Sequence, residues 1–261
     1  MGVVNTTPDS FSDGGACLDA GAAIAHALKL RDAGADILDV GGESTRPGAQ
    51  PVDSKEEMRR VLPVVKALAD RGLVVSIDTQ KPEVMRAAVA EGATMINDVA
   101  ALRVPGALDA AAASDAAVCL MHMQGEPRNM QQAPDYADVV EEVRTFLRQR
   151  IEVCEAAGIA RERMLVDPGF GFGKTPAHNL ALLAHLDRIA DLGVPVLAGM
   201  SRKAMLGALT GRDVREREFA GVAAHLVAVV RGARILRVHD VAAMKDALAV
   251  WNAVEEFDDG T

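Results

Sequence analysis

Short apolar, β-branched runs alternate along the chain with longer segments of helical period, and that alternation predicts repeated βα units. The runs are Val3-Val4 leading to Asn5, Ile37 to Val40, Val74 to Ile77, Met95-Ile96, Val118 to Met121, Met164 to Val166, Val194 to Ala198, and Ile235 to Val238. Eight such runs are what a (β/α)8 barrel requires. The expected fold class is therefore α/β: a (β/α)8 TIM barrel, one domain over residues 1–261.

Between the runs, Met58, Val61, Leu62, Val65 and Leu68 follow helical spacing, as do Val139, Val140, Val143, Phe146, Leu147 and Ile151. These are one-sided helices for packing on a sheet. Ser54-Lys55-Glu56-Glu57 has the form of a capping box opening the first of them. Gly34, Gly72, Gly92, Gly158, Gly193 and Gly232 each precede an apolar run by a few residues, where a left-handed glycine can stop a helix. Only the fifth run, after Ser114-Asp115, lacks one. The chain opens almost on its first strand, so a lead-in to the barrel is expected to be absent.

In such a barrel the chemistry sits at the carboxyl ends of the strands. The runs end consistently in polar residues: Asn5, Asp39, Asp78, Asn97-Asp98, Met121-His122, Asp167, Ser201-Arg202-Lys203, and Arg237 with His239. A single such residue reads as a turn former or helix cap. Eight in register point to a site. The loop Asn5 to Gly15 is long, polar and glycine-ended, with Phe11 in it, in the manner of a lid or of a plain surface turn. Asp167 to Thr175 superficially suggests a phosphate loop, but Pro168 falls where its first glycine belongs, and Lys174 breaks the dinucleotide spacing. Phe11, Phe170 and Phe172 lie in these two loops, where a flat ligand could be sandwiched.

Composition narrows the classes. With 49% hydrophobic and 25% charged residues the chain has a core to bury, and a net charge of -9 without clustered basic runs argues against nucleic acid. No uninterrupted apolar run approaches the roughly 18 residues of a membrane span. Cys17, Cys119 and Cys154 form no CxxC pair and fit a reducing cytoplasm. Within the acidic total, Arg46, Lys203, Arg237 and His239 converge from different strand ends into a cationic site suited to a phosphate or diphosphate. Taken singly, each reads equally as a solvated charge or a salt-bridge partner. Asp78, Asn97 and Asp167 supply acceptors, and Asn97 also a donor, for the amino-amide edge of a planar heterocycle.

Together these motifs resemble the dihydropteroate synthase family of pterin-binding barrels. The resemblance rests on Asn5-Thr6-Thr7-Pro8-Asp9-Ser10-Phe11-Ser12-Asp13-Gly14-Gly15, Gly42-Glu43-Ser44-Thr45-Arg46-Pro47-Gly48, Ser76-Ile77-Asp78-Thr79, Ile96-Asn97-Asp98-Val99 and Leu120 to Gly125. It continues through Asp167-Pro168-Gly169-Phe170-Gly171-Phe172-Gly173-Lys174, Gly199 to Lys203 and Arg237-Val238-His239-Asp240-Val241, in order over the whole chain. Thr6 departs from the aliphatic residue usual there.

The resemblance implies condensation of 6-hydroxymethyl-7,8-dihydropterin diphosphate with p-aminobenzoate, releasing diphosphate and 7,8-dihydropteroate for folate synthesis. It implies a catalytic set of Asp78, Asp167, Lys203 and Arg237, with Asp78, Asn97 and Asp167 on the pterin edge and Val99, Met121 and Phe172 against its faces. Lys203 would donate to the ring carbonyl and a ring nitrogen. Arg46, Arg237 and His239, with Thr45 beside them, would hold the diphosphate, and Phe11, Pro47 and Ser201 would form the p-aminobenzoate pocket. Asn5 would bind Mg2+ through its carbonyl oxygen. A cytoplasmic homodimer and competition by sulfonamides are further implications. Leu226, Val229, Val230, Leu248, Val250 and Trp251 offer apolar surface for a dimer, though barrel packing explains the same residues. Two rivals are a corrinoid methyltransferase on the same barrel, which needs no diphosphate site, and a catalytically idle pterin-binding homologue.

Overall fold

The computed structural model describes residues 1–7, 20–44, 48–126 and 129–258. Eight strands form one parallel sheet in chain order: β1 (Gly2–Asn5), β2 (Leu38–Gly41), β3 (Val75–Asp78), β4 (Met95–Asp98), β5 (Ala117–Met121), β6 (Met164–Asp167), β7 (Val196–Ala198) and β8 (Ala233–Leu236). The sheet closes on itself just past β8, where Gly2 bridges Val238 and Val3 N donates to Val238 O at 3.1 Å. The result is the expected barrel. Strand bounds shift by one or two residues from the apolar runs, most at β8, because Arg237 and Val238 already belong to the closing seam.

Among the described residues, ten α-helices surround the sheet: α1 (Ala20–Asp32), α2 (Ser54–Ala69), α3 (Pro82–Ala90), α4 (Ala107–Ala112), α5 (Val139–Ala156), α6 (Pro176–Ala184), α7 (Asp187–Ala190), α8 (Ala204–Thr210), α9 (Glu218–Val230) and α10 (Val241–Asp258). Side chains alternate along each strand between the helix layer and the barrel interior. The outward set, Val4, Leu38 and Val40, Val75 and Ile77, Ile96, Val118 and Leu120, Val166 and Val196, joins the helices in one continuous core. The inward set is different in kind. Met95, Cys119, Leu165 and Leu197 fill the lower interior as a separate cluster, and above them every inward position of β2, β3, β4 and β6 is polar or glycine.

Two local details differ from the sequence reading. Asp53, not Ser54, caps α2: its side chain accepts from Glu56 N at 2.8 Å. Glu57, expected to complete the box, is buried instead and pairs with Lys81. A capping box does occur at α6, between Thr175 and His178. All six predicted helix-stopping glycines have positive φ, from 71° at Gly72 to 104° at Gly92. At the fifth turn Ser114 substitutes for glycine, donating from Oγ to Ala111 O at 2.9 Å. No helix among the described residues is long and apolar enough to cross a membrane.

After β6 the chain folds tightly through Asp167–Thr175. Gly169 takes φ +70°, and a Cβ there would collide with the backbone carbonyl oxygen of His122. Gly72 has φ +71° with nothing near its missing Cβ. Gly169→Ala is therefore expected to lower stability by about 2–4 kcal/mol, combining strain with overpacking, and Gly72→Ala by only about 1 kcal/mol. Urea denaturation of the two variants measures the difference; equal losses would show that the loop does not pack as described.

Candidate active site at the carboxyl end of the barrel

The mouth of the barrel collects charges from five strands. Arg237, just after β8, donates from Nε to Asp39 Oδ2 at 2.6 Å and from Nη2 to Asp78 Oδ2 at 2.8 Å. Asn97 on β4 donates from Nδ2 to the same Asp39 oxygen at 3.1 Å. Asp39 is fully buried within β2, one layer below the rim, rather than ending the strand as the run pattern implied. Gly41 and Gly199 lie beside this set, their missing Cβ positions at ordinary contact distance from Asp78 and Arg237. Lys203 reaches across from the turn after β7, donating to Phe170 O and lying 4.7 Å from the Phe172 ring centroid. Asp167 Oδ1 accepts from Gly169 N at 2.7 Å, which fixes the carboxylate at the rim of β6.

One side of the mouth is apolar: Val99, Met121, Met123 and Met130 cluster with Phe172. Phe170, expected to flank a ligand with Phe172, is instead fully buried in the outer core, because it falls on the helix-facing side of the turn. Ser201 Oγ meets His239 twice, accepting from the backbone N at 3.2 Å and lying 3.0 Å from Nδ1. Asn5 ends β1, half-buried, its amide making no hydrogen bond among the described residues. Phe11, Thr45, Arg46 and Pro47 lie outside the described residues.

A cleft of about 550 Å³ opens beside this set, lined by Glu43, Ser44, Asp78, Val99, Arg103 and Met123 among others. Its wall contains groups the sequence did not single out. Lys81, at the start of α3, pairs with both Glu43 and buried Glu57, tying the loop after β2 to α2 and α3. Beneath the β6 loop, Lys174 is buried and lies 2.9 Å from His122 Nδ1, donating also to Gly169 O and Phe172 O at 3.0 Å each. Neither cluster has a local sequence signal, since the side-chain partners lie 24 to 52 residues apart.

Residues 1–239 match the family described as pterin binding enzyme. The dihydropteroate synthase of Escherichia coli is 51% identical over 254 residues, covering 97% of this chain and 90% of its own. The chain belongs to the dihydropteroate synthases. A solved Xanthomonas albilineans dihydropteroate synthase with 4-aminobenzoic acid superposes at a TM-score of 0.93, with 60% identity and 97% and 92% of the two chains covered. The same organism's enzyme in complex with 7,8-dihydropteroate matches at 0.89 and 56% identity, with the same coverage.

For a dihydropteroate synthase the electrostatics of the mouth are consequential. Burial pushes the Asp78 carboxyl up to about 7, Arg237 opposing the shift and Asp39, Glu57 and Asp98 adding to it. Burial likewise raises Asp167 and lowers Lys203 to about 8, and each of this pair counteracts the other's shift. His122 falls to about 3 and Lys174 to about 7, both chiefly through burial. Between about pH 4 and pH 7 native Asp78 thus retains a proton that the unfolded chain has released. A raised carboxyl pKa makes stability fall as pH rises through that window. Relative to Asp78→Asn, which does not titrate, the wild-type chain is expected to lose stability from pH 4 to 7 and to hold level above it. Urea midpoints of both proteins across this range check the sign; a gap that is constant with pH would contradict it.

Proposed function

We infer that the mouth of the barrel joins 6-hydroxymethyl-7,8-dihydropterin diphosphate to p-aminobenzoate, forming 7,8-dihydropteroate and diphosphate. The observation that carries this reading is the juxtaposition of three acceptors, Asp78, Asn97 and Asp167, with Arg237 and Lys203 at one barrel mouth. A pterin edge offers amino and ring N–H donors to such acceptors, and its carbonyl and ring nitrogen suit Lys203. Val99, Met121 and Phe172 supply apolar contact for the ring faces.

The diphosphate end belongs outward, toward Arg237 and His239, with Arg46 and Thr45 from the second loop. Phe11 and Pro47, with Ser201, would enclose the arylamine. Negative charge gathers on the departing diphosphate as the methylene–oxygen bond breaks, and fixed cations stabilise it there. Positive charge on the pterin methylene is offset by Asp167. A neutral arylamine is a modest nucleophile, so ionisation precedes attack, and the loops must hold the amine in line and exclude water.

The residues also suit Mg2+. A hard dication takes an amide oxygen together with substrate phosphates and water, and the unengaged amide of Asn5 at the end of β1 is such a ligand. When bound, the ion would neutralise charge on the diphosphate.

A homodimer is part of this reading. Leu226, Val229 and Leu248 pack on the barrel, which disposes of half the apolar surface seen in the last helices. Val230 and Val250 do not, and with Val227, Val254, Phe219 (84% exposed) and Phe257 (78% exposed) they leave an apolar face on the packed pair α9 and α10. A face of this kind on a folded chain calls for a partner, and a second copy supplies the same surface. Val250→Glu with Phe257→Glu is expected to halve the mass seen by light scattering; a wild-type chain already monomeric at micromolar concentration would overturn the dimer.

The reaction itself is tested by mixing both substrates with the protein and Mg2+ and detecting diphosphate and dihydropteroate. Asp167→Asn should keep the fold and lower turnover roughly 100-fold or more, as loss of a transition-state electrostatic partner does, and chelation of Mg2+ should suppress release. Near-normal turnover in the variant would remove Asp167 from the mechanism, and no diphosphate release from the wild type would remove the reaction.

A further inference from the structure

Asp39 has a position that no substrate-facing role accounts for. It is fully buried on β2, below the rim, and cannot reach a ligand in the cleft. Yet a single oxygen, Oδ2, accepts from Arg237 Nε at 2.6 Å and from Asn97 Nδ2 at 3.1 Å. Its partners come from opposite parts of the barrel, 198 and 58 residues away in sequence. Both are residues assigned above to the substrate, one to each end of it.

The consequences for the two partners are specific. An asparagine amide can present either its oxygen or its nitrogen, and the choice follows from its hydrogen bonds. With Nδ2 engaged below by Asp39, Asn97 must turn Oδ1 outward, and that oxygen has no partner among the described residues and is not sealed from solvent. The barrel mouth therefore presents an acceptor at this point, matching a ligand edge that donates. For Arg237, engagement of Nε orients the planar guanidinium, and Nη1 meets no acceptor among the described residues. Its unengaged edge is left for an anion, in the geometry that bidentate recognition needs.

We propose that Asp39 is a positioning residue for both halves of the substrate, orienting the Asn97 carbonyl toward the pterin and the Arg237 guanidinium toward the diphosphate through one buried carboxylate oxygen. This rests on the reaction assigned above. It adds that the donor-selective character of the pterin pocket is set from beneath, by a residue that never touches the ligand. Oδ1 of Asp39 and Oγ of Ser76, which face each other across β2 and β3, are buried without partners, so the carboxylate is not held by a shell of its own and is oriented chiefly by these two bonds.

Calorimetry with 6-hydroxymethylpterin and, separately, inorganic diphosphate with Mg2+ tests the inference on the full chain. Asp39→Leu, which keeps the volume but removes both acceptor oxygens, is expected to weaken both probes by about tenfold or more, the effect of losing a hydrogen bond to a charged group. Asn97→Ala should weaken only the pterin, and Arg237→Ala chiefly the diphosphate. A general loosening of the fold would not change selectivity, so 6-hydroxymethyllumazine, in which an oxo group replaces the 2-amino group, is a further readout. The wild-type preference for the pterin over the lumazine should shrink by about tenfold in Asp39→Leu, once Asn97 is able to turn over.

A second measurement needs no change at Asp39. The Arg237 Nε–H resonance, identified by its loss in Arg237→Lys, should exchange with water far more slowly than those of exposed arginines. Loss of only one probe's binding in Asp39→Leu, an unchanged pterin preference, or a rapidly exchanging Arg237 Nε–H would each overturn the role of Asp39. Failure of the wild type to bind either probe would instead overturn the assigned reaction.

Discussion

Closure of eight short parallel strands decides what each side chain can do. Once β8 meets β1, inward positions see only one another and the mouth, and outward positions see only helices. The strands are three to five residues long, so each contributes one to three inward residues. A lower layer of Met95, Cys119, Leu165 and Leu197 closes the interior, which leaves the upper layer as the place where polar side chains can be held. Site and core are therefore built from alternate residues of the same strands, and a one-residue register slip would exchange them.

The upper layer carries a cost that shapes its chemistry. Asp39, Asp78 and Asp167 face Arg237 and Lys203, and removing one member of a buried pair commonly costs about 3–5 kcal/mol. Burial acts on both signs of charge: Asp78 is pushed up to about 7 and Lys203 down to about 8, so both lie near the range in which proton exchange with a ligand is easy. An anionic substrate end arriving at Arg237 meets the guanidinium edge that the two carboxylates leave open, and donors on a heterocycle satisfy Asp78 and Asp167. The site is poised for a ligand carrying both features on one molecule.

Much of this was legible along the chain because barrels repeat. Each strand announces itself by an apolar run, six of the helix stops by a glycine, and the rim positions by polar residues at the ends of runs; Asn5, Asp78, Asn97, Asp167, Lys203, Arg237 and His239 all reach the same face. What was not legible depends on partners far apart in sequence. Asp39 looked like another strand end, and only closure shows that its oxygen lies against Arg237, 198 residues later. Glu57 looked like half of a capping box until Lys81 drew it inward. Phe170 and Phe172 are two residues apart in a turn, not a strand, so no period foretold that one enters the core while the other meets the cleft.

The β6 loop shows why rigidity and reactivity coincide here. Its carbonyls are taken by Lys174, Lys203 and the Tyr136 hydroxyl, its Gly171 N donates to Asn179, and Phe170 anchors it from below. None of these groups needs to contact a reacting atom to matter. Electrostatic stabilisation is effective when the charge is already in place, because reorienting dipoles during the reaction would consume the energy they supply. Asp167 opens this loop and is tied to it through Gly169 N, so the carboxylate cannot swing toward Lys203 and be neutralised at contact distance. Under the reaction inferred above, a carboxylate held in this way is available to a developing cation, and the loop that carries it is fastened from outside the cleft by buried Phe170 and Lys174.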